Sequence, residues 1–302
     1  MYKKVSLIIP TFNRAHFLEE TLQSVFKQEK KPDEIIVVDD GSTDHTQEVI
    51  KKFKHINYAF QKNSGVSAAR NHGIKISQFE WITFLDSDDL WYPNKLSLQL
   101  RKAEEKPDFL IFYTDETWIR NGRRVNQGKR HSKYSGWIFE QCLPLCIISP
   151  SSVMIHRNIF TKIGIFDESL PACEDYDLWL RISLHYPVCF IPKPLILKRG
   201  GHEDQLSKKF YGMDRFRIHA LKNILLAPSL TPSQRNKTLE EIKKKSAIYA
   251  QGCLKRNRFK EFEEYHTLSQ AKVSEHDLIF PKLAENETRY SALKAGEYFH
   301  EN

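Results

Sequence analysis

Apolar and polar positions along the first part of this chain switch between two periods. Residues 5–9 form a short unbroken apolar run, the pattern of a strand covered on both faces. Residues 15–28 then carry Phe17, Leu18, Leu22, Val25 and Phe26 at helical spacing. Four β-formers at 35–38 predict a second buried strand, closed by the turn cluster Asp39-Asp-Gly-Ser42. A helix over 46–53, capped by Thr43 or Asp44, leads to a short strand at 56–61 and a helix at 67–77. Another strand is expected at 81–85, and Pro93 opens a helix toward Glu104. Strands separated by helices predict a doubly wound α/β sheet whose ligand site lies at the carboxyl ends of the strands.

From residue 108 the pattern is mixed. Strands are expected at 109–114 and 117–120, with Asn121-Gly122 as a hairpin signal before a strand at 123–125. Residues 128–134 are basic and polar and read as a loop. A strand at 152–156, a helix from near Asp175 to about His185, and strands at 188–191 and 195–199 complete the core. Beyond 208 only helical patterns remain, at 213–226, 233–256, 260–269 and 285–299, with a break at 227–232. The chain thus reads as an α/β region over 1–207 and an α-helical extension over 208–302.

Composition changes this picture little. A chain of 302 residues suffices for one sizeable core and a smaller appendage. No run approaches the roughly 20 apolar residues that cross a bilayer. Residues 5–9 are too few for a secretory signal, which predicts a cytosolic protein. Five scattered cysteines form neither a disulfide framework nor a paired zinc knuckle. The net charge of +8 points to an anionic partner. No recognised nucleic-acid module accompanies it, so nucleic acid is not the expected partner. The basic helices after 208 suit contact with anionic lipid at the inner face of a membrane, a homodimer contact, or a cover for the core, and the sequence leaves these three open.

Candidate chemistry concentrates at Trp81-Ile-Thr-Phe-Leu-Asp-Ser-Asp-Asp-Leu-Trp91, where an apolar run ends abruptly in Asp86, Asp88 and Asp89. Two unit charges roughly 5 Å apart at an effective dielectric of about 20 repel by about 3 kcal/mol, so a cation is the natural complement. Hard carboxylate oxygens suit Mg²⁺ or Mn²⁺, ions that commonly hold phosphates through one or two carboxylates. A solvated acidic turn capping the next helix is the plain alternative.

Four segments stand in order: Ile9-Pro-Thr-Phe-Asn-Arg14, Val38-Asp-Asp-Gly-Ser42, Phe84-Leu-Asp-Ser-Asp-Asp89 and Glu174-Asp-Tyr-Asp-Leu-Trp179, with Gly65-Val-Ser-Ala-Ala-Arg-Asn71 between them. With them the chain resembles family 2 glycosyltransferases of the nucleotide-sugar-binding GT-A fold, over roughly residues 5–207. That resemblance implies a mixed, mostly parallel sheet flanked by helices and an inverting, metal-dependent transfer. Pro10, Thr11, Phe12, Asn13 and Arg14 would flank the nucleotide, and Asp40 would accept from a uracil N–H. Arg70 would contact the diphosphate or the base side, and Asp86 would lie toward the ribose. Asp88 would coordinate Mn²⁺ or Mg²⁺ across the diphosphate, and His202, beside two glycines that permit loop closure, is a second candidate ligand. Glu174-Asp175 matches the acceptor-site pair: Asp175 as the base on the acceptor hydroxyl, or an N-cap on residue type alone, and Glu174 orienting the acceptor. Trp179 stacks on a sugar or belongs to the core. The resemblance also implies a UDP-linked donor and a glycan or lipid-linked saccharide acceptor, in polysaccharide or glycoconjugate biosynthesis. Acceptor choice is expected mainly in 114–150 and 171–174. A sugar-phosphate nucleotidyltransferase is disfavoured because residues 10–15 lack a Gly-rich loop. A binding module without turnover is disfavoured because every candidate carboxylate is present.

Overall fold

The computed structural model describes residues 3–202, 205 and 209–270. Two compact units are distinguished, Met1–Glu241 and Ile242–Asn302. The expected boundary at 207/208 and the expected helix at 285–299 lie at or in residues outside those described.

The first unit is built on a nine-stranded mixed sheet in the order β3-β2-β1-β4-β8-β6-β9-β5, with β7 paired to β6. Strands β1 (Val5–Thr11), β2 (Glu34–Asp39), β3 (Asn57–Phe60) and β4 (Trp81–Phe84) run parallel. β1 and β2 are buried along their whole length, as unbroken apolar runs require. They are joined by helices α1 (Ala15–Phe26), α2 (Thr46–Lys51) and α3 (Val66–Ile76). α1 buries Leu18, Thr21, Leu22 and Val25, one stripe at helical spacing. It ends two residues before Gln28, which is recruited elsewhere: its amide donates to Tyr92 O at 2.7 Å and accepts from Leu96 N at 3.2 Å. α3 lies so close to β1 that a Cβ at Gly73 would sit 2.4 Å from Ile8 Cγ2, which is why glycine stands there.

The rest of the sheet is formed by β5 (Leu90–Trp91), β6 (Ile111–Arg120), β7 (Arg123–Val125), β8 (Met154–His156) and β9 (Cys189–Gly200). β8 is antiparallel to both β4 and β6, while β9 runs parallel to β6. Six of the nine strands therefore point the same way, in keeping with a mostly parallel sheet. Asn121 and Gly122 both have positive φ, 48° and 74°, the backbone that a two-residue hairpin needs.

Two pairs of strands expected separately are each continuous. β6 spans the gap at Asp115-Glu116, and β9 runs through Pro192-Lys193-Pro194. The register explains how: Thr114 pairs with Ile191, Asp115 with Pro194 and Glu116 with Ile196. Bulges absorb the prolines, which cannot donate to a ladder. The two-residue β5, which periodicity cannot reveal, closes the edge by pairing with Ile196 and Leu197.

Around this sheet lie α4 (Lys95–Glu105), α5 (Phe139–Cys142), α6 (Asn158–Ile163), α7 (Glu174–His185) and α8 (Asp214–Leu225). Helix α9 (Pro232–Leu254) carries the chain into the second unit, followed by α10 (Phe259–Gln270). There the Tyr249 and Tyr265 rings meet at 4.5 Å. Among the described residues no helix is long and apolar enough to cross a membrane.

Candidate active site

The carboxyl ends of β1, β2 and β4 carry three of the motifs to one side of the sheet. After β1, Asn13 takes positive φ (51°), and its loop is laced to the one after β2. Asn13 N donates to Ser42 Oγ at 2.9 Å, and Thr43 N donates to Asn13 Oδ1 at 2.8 Å. Pro10 and Thr11 are buried in β1, while Phe12 is exposed. Asp39 is occupied by Ser42 N and the Tyr58 hydroxyl. Asp40 accepts from Gln61 Nε2 at 2.8 Å, Ser64 N at 2.9 Å and Gly65 N at 2.8 Å. Its carboxylate thus anchors the start of α3 and keeps about one of its four lone-pair positions.

Beyond β4 the three aspartates take different environments. Asp88 Oδ2 accepts from Arg14 Nη1 at 2.6 Å and lies 2.8 Å from His202 Nε2. Burial alone would raise its pKa; the His202 hydrogen bond and the Arg14 charge hold it below the usual carboxylate value. Asp89 is buried and accepts from Ser151 Oγ at 2.7 Å and Arg199 N at 3.0 Å. Burial, then the Asp88 and Asp86 charges, push it well up. Asp86 receives Arg70 Nη2 at 2.7 Å.

Arg70 is the hinge of the arrangement. Its other terminal nitrogen donates to Glu174 Oε1 at 2.6 Å, so one buried guanidinium ties the end of β4 to the start of α7. Burial opposes its charge, and Asp86 and Glu174 more than restore it. Glu174 is pushed up by burial and by Asp175, with Arg70 opposing. Just before it, Cys173 holds left-handed backbone (φ 63°), uncommon for a residue other than glycine. Strain of that kind clusters at functional sites.

Asp175 Oδ1 accepts from Tyr176 N at 2.7 Å, and Oδ2 from the Cys146 thiol at 3.3 Å. It opens on a cavity of about 60 Å³ lined also by Glu116, Trp118, Lys133, Cys146 and Lys198. Trp179, by contrast, is 1% exposed and belongs to the interior, leaving no ring face for a sugar. The structure thus brings together Arg14, Arg70, Asp86, Asp88, Glu174, Asp175 and His202, but not Trp179.

Sequence reasoning missed Ser151, Cys146, Glu116, Lys133 and Lys198. Ser151 joins the metal-motif loop by accepting from Asp86 N at 3.1 Å and donating to Asp89. A charge inside a strand-like run was the available signal for Lys198; Glu116 falls in the gap between two expected strands, and nothing local marks Ser151.

Glu116 and Lys133 form a buried ion pair at 2.9 Å. Burial would raise the Glu116 pKa, but Lys133 and Lys198 bring it from 4.5 to about 2. A carboxylate lowered in this way contributes stability above pH 4.5 that is lost as pH falls toward 2, about 3 kcal/mol in all. Glu116→Gln is therefore expected to unfold more easily than the wild type at pH 7. The gap should narrow between pH 4.5 and 2 in urea melts, and a constant gap would contradict the assignment.

A metal is tested against the donor set. Among the described residues no group of three or more His, Cys, Asp or Glu is arranged to hold an ion. One carboxylate and one imidazole do converge, at Asp88 and His202. Such a pair fits Mn²⁺ or Mg²⁺ when phosphate oxygens or water complete the coordination.

Comparison with known proteins matches residues 6–164 to the model of glycosyl transferase family 2. The chain is 37% identical over 220 residues to an uncharacterized glycosyltransferase of Rickettsia felis, covering 71% of this chain and 36% of that protein. It thus spans about a third of that relative's length. It is 33% identical over 186 residues to an Escherichia coli UDP-Glc:alpha-D-GlcNAc-diphosphoundecaprenol beta-1,3-glucosyltransferase, covering 59% of this chain and 69% of that one. The crystal structure of S. aureus TarS 1-349 in complex with UDP-GlcNAc superposes with a TM-score of 0.62 at 19% identity, covering 88% of this chain and 90% of that one. That likeness carries the fold.

Proposed function

The chain belongs to glycosyl transferase family 2, and from that premise we propose that it moves one sugar, with inversion, from a UDP-sugar to a hydroxyl of a glycan or lipid-linked saccharide in polysaccharide or glycoconjugate synthesis. The observation that carries this reading is the Arg70 bridge, because it fixes the donor-side Asp86 against the acceptor-side Glu174-Asp175 pair. Direct displacement needs that juxtaposition: a leaving group on one side of the anomeric carbon and a base on the other. The E. coli relative's name supports a UDP-linked donor and a lipid-linked acceptor, and the UDP-GlcNAc in the TarS crystal supports the former.

In this reading Pro10–Arg14 flank the nucleotide, and Asp40 offers its remaining lone pair to a base N–H. Arg70 keeps Asp86 oriented toward the ribose. Asp88 and His202 would hold a divalent ion, which supplies positive charge where the diphosphate departs. Asp175 takes the proton of the acceptor hydroxyl, and Glu174, fixed by Arg70, orients the acceptor.

A thermal-shift screen with Mn²⁺ tests the donor class. At a hundredfold excess over Kd, UDP should add about 2.7 kcal/mol and raise the melting temperature by about 4 °C. The shift should require Mn²⁺. Absence of a shift with any nucleoside diphosphate would overturn the reading.

A further inference from the structure

Two opposite charges face the cavity beside α7 without touching. Among the described residues, Asp175 has no cation within ion-pairing distance: its carboxylate holds only Tyr176 N and the Cys146 thiol. Lys198 lines the same cavity from β9, opposite Trp118 of β6 in the register, and its ammonium makes no hydrogen bond or ion pair with the described residues. The two nevertheless feel each other. Burial would strip the proton from Lys198; the charges of Glu116, Asp89, Asp86 and Asp175 more than compensate and keep it an ammonium.

The other three carboxylates are already engaged. Glu116 is paired with Lys133, Asp86 with Arg70, and Asp89 is bonded to Ser151 and Arg199 N. Of the carboxylates that line the cavity, Asp175 is the one without a cation in contact among the described residues. The Asp175–Lys198 separation exceeds the 4.0 Å of a direct pair. One oxygen hydrogen-bonded to both groups spans about 5 Å. A hydroxyl can bridge such a pair, since it donates to a carboxylate and accepts from an ammonium at once.

We propose that Lys198 orients the acceptor, its ammonium donating to the oxygen of the hydroxyl whose proton Asp175 removes. The inference rests on Asp175 being the base. One lone pair of the hydroxyl oxygen is then held by Lys198, and the other points at the anomeric carbon. The O–H proton passes to Asp175 as the new carbon–oxygen bond forms. The bond between the anomeric carbon and the phosphate oxygen breaks, and its electron pair leaves with the nucleoside diphosphate. Negative charge thus moves from Asp175 to the departing group, and Lys198 feels the charges of both Asp175 and Asp86. The charges lining the cavity balance, Lys133 and Lys198 against Glu116 and Asp175. His131 is held toward its neutral form by burial and by Arg130 and Lys133. An anionic group would find no spare positive charge in this cavity, which suits a neutral hydroxyl.

The test measures UDP release by the full chain from UDP-Glc and UDP-GlcNAc with Mn²⁺, with water and with a panel of methyl glycosides as acceptors. Lys198→Met is expected to lower kcat about 100-fold while the Kd for UDP stays within twofold. Lys198→Arg, which keeps the charge, should recover to within about tenfold of the wild type. UDP release by Lys198→Met at the wild-type rate would overturn the inference. So would a Lys198→Arg variant no faster than Lys198→Met although both bind UDP. Lys198→Gln replaces the methionine variant if that one fails to bind UDP. A wild-type protein that neither binds UDP nor releases it sinks the donor reading instead.

Discussion

Asp175→Asn is expected to lose sugar transfer by about 10²–10⁴-fold while UDP binding and the melting temperature stay close to those of the wild type. The local geometry predicts this separation. Asp175 Oδ1 accepts from Tyr176 N, a bond that the amide oxygen of asparagine also makes. The other oxygen meets only the Cys146 thiol, a weak donor whose loss costs little. Nothing in the donor-side set of Arg14, Asp86, Asp88 and His202 bonds to Asp175, so the nucleotide should not register the change. What disappears is a group that takes a proton, and a sugar hydroxyl is a poor nucleophile until its proton is taken. The check is kcat for transfer alongside the Kd for UDP. Full transfer activity in Asp175→Asn would remove the base assignment, and weakened UDP binding would mean that the residue shapes the donor pocket.

The acidic motifs of this site were legible in the sequence, and the residues they bond to were not. Asp86, Asp88 and Asp89 follow one apolar run, and Glu174 and Asp175 are neighbours, so local pattern alone exposes them. The parallel strands at the start of the sheet were legible for the same reason, because unbroken apolar runs with short helices between them leave few alternatives. The partners of these residues come from far along the chain. Ser151 meets Asp89 across 62 positions, and Arg70 meets Glu174 across 104. Glu116 and Lys198 reach one cavity only because β6 and β9 are each continuous through a bulge. Read from local pattern, Asp115-Glu116 and Pro192-Lys193-Pro194 break those strands and scatter their residues. For Trp179 local pattern left a sugar platform and a core position open, and its helix turns that ring inward. Asp40, expected to accept from a base N–H, instead has most of its carboxylate claimed by three protein donors.

Asp88→Asn should have the larger effect on turnover, at least about 10³-fold, and unlike Asp175→Asn it should also abolish the Mn²⁺-dependent part of UDP binding. Charge stabilisation by a bound ion is worth several kcal/mol, and each 1.36 kcal/mol is a factor of ten. Among the described residues the donor set is thin, one carboxylate and one imidazole, so loss of the carboxylate charge leaves little to hold an ion. The apoprotein should respond only modestly. Asparagine still offers an oxygen to Arg14 Nη1, and Arg14 and Asp88 are each partly accessible, at 14% and 15% of their side chains, so water can share the unbalanced charge. Asp88→Ala would remove that acceptor as well and confound folding with function, which makes asparagine the more informative replacement. The readouts are electron paramagnetic resonance of Mn²⁺ titrated with UDP, and thermal shift with and without the ion. A variant that still binds Mn²⁺ with UDP as the wild type does would show that the ion is held elsewhere, and the role assigned to Asp88 would pass to charge pairing with Arg14 and His202 alone.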